Sequence, residues 1–156
     1  MNNYNKIELP YTISLNRYLG RAKNGITYKK KEALEYISKV DKVLLKNNIK
    51  ASDKLLSVII IQHPVLLKKK ITDELYYLYQ RRQDLDNINK VLLDSLQVTY
   101  NKDKSIFNDN KLYFNDKQII DLKLIVGKPI KDGGIDFYYK FYEQEELKTF
   151  NFDLYS

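Results

Sequence analysis

The chain contains no cysteine, which removes disulfides, zinc–thiolate centres and a thiol nucleophile at once. Its single histidine, His63, excludes a His-rich metal site within one subunit. Nothing beside His63 in the sequence partners it, so it reads as a strand-end packing residue rather than a ligand or a general base. Long apolar runs are missing too. The longest aliphatic stretch, Val58 to Ile61, is far short of a membrane span, and no signal peptide is visible. Neither a Gly-x-Gly-x-x-Gly fingerprint nor a phosphate-loop lysine motif occurs, so no nucleotide cofactor is expected. Internal repeats are absent as well. These absences together fit a protein of the reducing cytoplasm with no membrane partner.

What remains is 156 residues with a formal net charge of +7 and a pI near 9.3. That length supports one real core and not two, so residues 1–156 read as a single domain. The basic balance favours an anionic partner, although many housekeeping proteins are as basic and charge alone decides nothing.

The stretch around which the chain is organised runs from Arg81-Arg82-Gln83-Asp84-Leu85-Asp86-Asn87 through Lys90 to Leu96. From Ile88, the residues Val91, Leu92, Ser95 and Leu96 follow at helical spacing, and Leu85 joins their face one turn earlier. Asp86, Lys90 and Asp94 fall together on the opposite face, because residues four apart are neighbours on a helix. Asp84 cannot share that face and reads as the N-cap. Two accounts fit this spacing. In one, a capped surface helix carries a solvated charge face. In the other, a loop carboxylate and a first-turn carboxylate converge on one point.

The run Arg82-Gln83-Asp84-Leu85-Asp86-Asn87, then Lys90, then Asp94-Ser95-Leu96, resembles the signature of the RusA-type Holliday-junction resolvases of bacteria and their phages. Two further stretches are similar to that family. Leu9-Pro10 followed by Asn16-Arg17-Tyr18 loosely matches its strand, proline and Arg-aromatic cluster. Near the other end, Asn115-Asp116-Lys117-Gln118-Ile119 matches an acidic pair before a Gln-hydrophobic strand. The second acid of that pair is catalytic in the family, and Asp116 takes its place. The likeness spans about Leu9 to Tyr142 and is specific in the 81–96 block and at Asp116. Gln83 stands where the family often has a basic residue, and Asn115 replaces the first acid. Longer segments near 65–80 and 97–113 also depart from the family pattern.

The resemblance implies a homodimer that resolves four-way DNA junctions in recombination and repair, cutting two strands symmetrically with Mg²⁺. A twofold dimer suits that task, since it offers two equivalent sites to a nearly twofold junction. Asp84, Asp86 and Asp116 are then the catalytic and metal-holding acids. Each pair of carboxylates at around 4 Å costs about 4 kcal/mol at an effective dielectric near 20, so a proton or a cation must hold such a cluster. Mg²⁺ suits oxygen-only ligands, with Mn²⁺ as the alternative. Lys90 is assigned to the scissile phosphate or the charge of the transition state, and Asn87 to orienting a carboxylate or a water. Asp94 reads as structural, pairing with Lys90. Asn16, Arg17 and Arg21, with Tyr18 beside a sugar or base, form a loop that meets DNA. Lys29, Lys30 and Lys31 crowd a first helical turn, the wrong end for cations unless a phosphate backbone passes there. Arg81 and Arg82 complete the DNA-binding set.

Two other readings stay open. One is a catalytically inactive module that binds junctions or other branched DNA. The other is a nuclease for another branched DNA or a structural protein of phage replication. A two-carboxylate glycosidase lacks an aromatic sugar platform beside its acids and leaves the basic charge unused.

The expected fold is α+β, a small mixed sheet with helices packed on it, in the order β-α-β-(α)-α-β-β. Its parts are a strand at Lys6–Leu9, a helix from about Tyr28 to Lys46, and a central strand at 55–62. A short helix within 65–82 leads into the signature helix. The segment 99–110 is a loop or hairpin. The alternation of Leu122, Leu124 and Val126, a turn at 131–134, and that of Ile135, Phe137, Tyr139 and Phe141 predict a closing hairpin.

Overall fold

The computed structural model describes residues 3–13, 18–66 and 85–148. Asn16, Arg17, Arg81, Arg82, Asp84 and the short helix expected within 65–82 lie outside the described residues, as do the side chains of Asp86 and Asn87.

A mixed four-stranded sheet carries the fold. It comprises β1 (Asn5–Leu9), β4 (Leu56–His63), β7 (Ile119–Val126) and β8 (Gly134–Phe141), in the spatial order β1-β8-β4-β7. Two helices, α1 (Lys31–Lys46) and α2 (Leu85–Leu96), share its core, and a short third helix, α3 (Gln144–Lys148), follows β8. The class is α+β. Two small antiparallel ribbons complete the described set: β2 (Leu19–Arg21) with β3 (Thr27–Lys29), and β5 (Thr99–Tyr100) with β6 (Ile106–Asn108). Among the described residues no helix is long and apolar enough to cross a membrane.

The continuous apolar run of β4 makes it the central strand, paired antiparallel to β8 and parallel to β7. Leu56, Val58 and Ile60 point into one core with Val40 and Leu44 of α1 and with Val91 and Leu92 of α2. The strands expected at 122–126 and 135–141 form, but the hairpin between them does not. Neither pairs with the other, because β4 lies between them. Burying Val58 and Ile60 requires neighbours on both sides of β4, and the two C-terminal strands supply them. The connection therefore passes over the end of β4, where Gly127 N donates to Gln62 O at 2.7 Å and Ile130 N to Pro64 O at 3.0 Å. A Cβ at position 127 would come within 2.7 Å of the His63 ring, so only glycine fits that crossing. His63 itself closes the strand, with its ring nitrogens 2.9 Å from Lys128 O and 3.2 Å from Asp136 Oδ2. The partner that its sequence surroundings lack comes from β8.

The first helix starts later than the periodicity predicts. Gly25, at φ 83°, turns the chain so that Thr27–Lys29 pairs with Leu19–Arg21, and the Tyr28 ring lies over Gly20. Helix α1 begins at Lys31. Of the three lysines expected in its first turn, Lys29 is on a strand, Lys30 is the N-cap and only Lys31 is helical. As expected, the helix ends at Asn47-Asn48. Asn47 Nδ2 donates to Val43 O at 2.8 Å, and Asn48 takes a positive φ of 53°. After β8 the acidic start of the tail docks on the domain. Lys54 Nζ meets Glu143 Oε1 at 2.7 Å, and Lys140 Nζ meets Glu146 Oε1 at 2.6 Å.

Candidate active site

Helix α2 forms where its spacing placed it. Ile88, Val91, Leu92, Ser95 and Leu96 are buried, while Lys90 on the other face is exposed. Ser95 is accommodated in the apolar stripe because its hydroxyl donates to Leu92 O at 2.6 Å.

The chain leaves α2, forms the β5–β6 ribbon, and returns along the end of the helix. Leu112 N donates to Leu96 O at 2.9 Å, Val98 N donates to Tyr113 O at 2.9 Å, and Tyr113 Oη donates to Leu93 O. Lys111 anchors this return. Its side chain is 1 % exposed, and its ammonium pairs with Asp41 of α1 and donates to Ser95 O of α2 at 2.8 Å. The segment that delivers Asp116 is thereby tied to both helices.

Asp116 opens a 3-10 turn, Asp116–Gln118, that leads directly into β7. Asn115, which replaces the family's first acid, is the N-cap of this turn: its Oδ1 accepts from Lys117 N at 2.9 Å. Gln118 is the hub. Its Oε1 accepts from Phe114 N at 2.9 Å and from Asn115 N at 3.0 Å. Its Nε2 donates to Ser52 O at 2.7 Å and to Lys54 O at 2.8 Å, just before β4. The Gln118 side chain thus ties the entry of the turn to the segment before β4, while Asp116 itself is exposed.

Lys90, Lys29 and Asp116 all act electrostatically on Asp94. Burial raises the pKa of the half-buried Asp94 carboxyl, and the Asp116 charge adds to that rise, while Lys90 and Lys29 oppose it. Tyr113 lies beneath the same acids; burial first, then Asp94 and Asp116, push its phenol up. Lys29 Nζ lies 5.6 Å from the centre of the Tyr18 ring. Lys90 and Asp116 of the catalytic set and Lys29 of the DNA-binding set are thus each within electrostatic range of Asp94. Asp94 and Lys90 influence each other electrostatically, but no ion pair joins them. The expected pairing of Asp94 with Lys90 is therefore a longer-range attraction and not a direct ion pair.

Tyr18 is corrected as well. It is 1 % exposed, a core residue with its phenol pushed up to about 12 by burial and then by Asp94, so it has no face to offer a base or sugar. Arg21 is exposed at the end of β2, and Lys31 reaches Glu35 at 3.9 Å on the outer face of α1. The motif names Gln118 but not its hydrogen bonds, and the burial of Lys111 has no local signal in the sequence. Asp94 had one: it stands four residues after Lys90, on the same face.

Could these residues hold a divalent ion? Asp94 and Asp116 are oxygen donors whose charges disfavour each other, the situation that a bound cation relieves. Among the described residues no group of three acids or histidines assembles; Asp84 and the Asp86 side chain, the other expected ligands, lie outside the described residues. The donor chemistry fits Mg²⁺ or Mn²⁺ and would not suit a softer metal.

Acids and lysines drawn from a helix, a strand and the turn that enters a mixed sheet form an arrangement suited to phosphodiester chemistry. The family model described as Endodeoxyribonuclease RusA matches residues 10–145, and the chain belongs to that family. Membership implies endonuclease action on Holliday junctions and assigns the branched DNA partner. No curated protein matches the chain in a search of such proteins.

Proposed function

We propose that the protein is a divalent-metal-dependent endonuclease that resolves four-way DNA junctions as a homodimer, cutting two strands symmetrically. Asp84, Asp86 and Asp116 hold Mg²⁺ or Mn²⁺. The observation that carries this reading is the solvent-facing Asp116 on a turn anchored by Gln118, with Asp94 in the electrostatic range of Asp116, Lys90 and Lys29 alike. A divalent ion bound by these acids supplies polarisation of the phosphoryl oxygen and a water of lowered pKa. The protein's own residues do the rest. Lys90, exposed on α2, sets a fixed positive charge beside the scissile phosphate. Lys29, stationed over the Tyr18 ring, meets an adjoining phosphate of the strand. Asn16, Arg17, Arg81 and Arg82 extend the phosphate track, and Asn87 orients a carboxylate or water. Asp94, kept partly from solvent, strengthens the negative field that draws the cation.

The test is a panel of four-way, Y-shaped, nicked and linear duplexes at one salt concentration, with and without Mg²⁺. Salt is held constant because phosphate-driven affinity falls steeply as it rises. Wild-type protein is expected to cut the four-way junction only with metal. Asp116→Asn should bind that junction unchanged and cut at least a hundredfold more slowly, on the scale of ~10² lost with a single transition-state-stabilising group. Undiminished cutting by Asp116→Asn removes this acid from the mechanism, and junction binding without any metal-dependent product removes catalysis altogether.

A further inference from the structure

The most exposed large apolar side chain among the described residues is Phe107, at 73 %. It stands on the β5–β6 hairpin, together with the exposed Tyr100 and Ile106. This hairpin is closed by hydrogen bonds at its tip and by strand pairing, so the exposed ring stands on an ordered ribbon. At its tip Asn101 N donates to Ser105 O at 2.8 Å and Lys104 N to Asn101 O at 3.0 Å, with Lys104 at a positive φ of 67°. Asp103 Oδ1 accepts from both the backbone N (3.0 Å) and the hydroxyl (2.6 Å) of Ser105. The ladder pairs Thr99 with Asn108 and Tyr100 with Ile106, which leaves Phe107 as the extra residue of a bulge. Bulges re-aim a side chain out of the alternation, and here the side chain so turned is a bare aromatic ring.

Position supplies the second argument. The hairpin begins at Thr99, three residues after the end of α2 at Leu96, and returns through Lys111–Tyr113 to the Asp116 turn. It therefore projects from between the elements that carry Asp94 and Asp116. Its charges are sorted in the same sense. The acids are engaged, Asp103 by Ser105 and Asp109 by Lys50 Nζ at 3.1 Å, whereas Lys102 and Lys104 pair with no acid among the described residues. A hydrogen-bonded prong with exposed aromatics, carrying lysines that pair with no acid among the described residues and leading to the Asp116 turn, matches the chemistry of nucleobases on a phosphate backbone.

We propose that the β5–β6 hairpin is a base-stacking wedge. Phe107 stacks on an unstacked base at the branch point, Tyr100 supports it, and Lys102 and Lys104 hold the flanking phosphates. The hairpin would then supply preference for branched over linear duplex, resting on the junction-cleaving role proposed above.

The experiment places 2-aminopurine at the branch point of a four-way junction and titrates in wild-type protein and the Phe107→Ala, Phe107→Trp and Lys102→Ala/Lys104→Ala variants, without metal. Cleavage with Mg²⁺ is measured in parallel. Wild type should change the probe's fluorescence on binding. Phe107→Ala should abolish that change and weaken junction binding about tenfold, leaving affinity for linear duplex unaltered. Phe107→Trp should keep the signal, and the double lysine variant should weaken binding with a shallower salt dependence. If Phe107→Ala binds, cuts and reports like wild type, the wedge is refuted while the nuclease reading stands. A change in self-association of Phe107→Ala with an unaltered probe signal would give the patch to a second copy of the chain and overturn the wedge. Failure of wild type to bind any junction would overturn both.

Discussion

Replacing Asp41 with asparagine leaves the Lys111 ammonium in the interior without its counter-charge. The lysine side chain is 1 % exposed and that of Asp41 is 32 % exposed, so the two partners respond differently to losing each other. Lys111 cannot reach water, and its remaining partner is the Ser95 carbonyl at 2.8 Å. Removing one member of a buried pair costs about 3–5 kcal/mol, and partial exposure of Asp41 puts Asp41→Asn near the lower end, about 3 kcal/mol. Lys111→Met removes the charge itself. The Asp41 carboxylate then rehydrates at the surface, methionine keeps most of the stem's packing, and the main loss is one hydrogen bond to Ser95 O, about 1 kcal/mol. Urea unfolding of the variants measures this directly. With a slope of about 2 kcal/mol/M, Asp41→Asn should lower the midpoint by about 1.5 M and Lys111→Met by about 0.5 M, with slopes unchanged. The reasoning is refuted if Lys111→Met is the more destabilising, or if Asp41→Asn moves the midpoint by less than about 0.3 M.

Gln118 makes a second prediction. Gln118→Ala deletes four hydrogen bonds, two to Phe114 and Asn115 at the Asp116 turn and two to Ser52 and Lys54 before β4, at a net cost of about 2–4 kcal/mol. It should impair metal-dependent cleavage more than junction binding, and equal loss of both would deny it a positioning role. The buried tyrosines make a third, in alkali. Tyr18, Tyr36 and Tyr113 are each raised chiefly by burial, Tyr18 to about 12, from an ordinary 10.0. The unfolded chain therefore releases these protons first. Their stabilising contribution is complete below pH 10 and is lost as pH rises through the folded values. Tyrosinate absorbance should show these phenols ionising together with unfolding, and their independent ionisation in a folded chain would contradict the burial.

Composition and periodicity were enough for the element types. The 3.6-residue repeat from Ile88 to Leu96 described α2, and the alternation at 135–141 described β8, because each pattern reports one face of one element. The apolar run at 58–61 likewise marked the central strand. Pairing was not legible. Alternation says which residues of a strand face the core but not which strand lies beside it, so the two C-terminal strands read as a hairpin when β4 in fact separates them. The ribbon at 19–29 was missed for a related reason, since its turn at Gly25 depends on Tyr28 settling over Gly20.

For the site, the sequence by itself determined the candidates: the acid-rich signature, Lys90 one turn beyond Asp86, and Asp116 ahead of a strand. Only the tertiary structure decided that Asp94 shares the field of Asp116, that Tyr18 belongs to the core, and that a buried lysine ties the segment delivering Asp116 to both helices. The reason is physical. A spacing rule acts within one element and is written in neighbouring residues, whereas burial and charge coupling arise between elements that the folded core alone brings together.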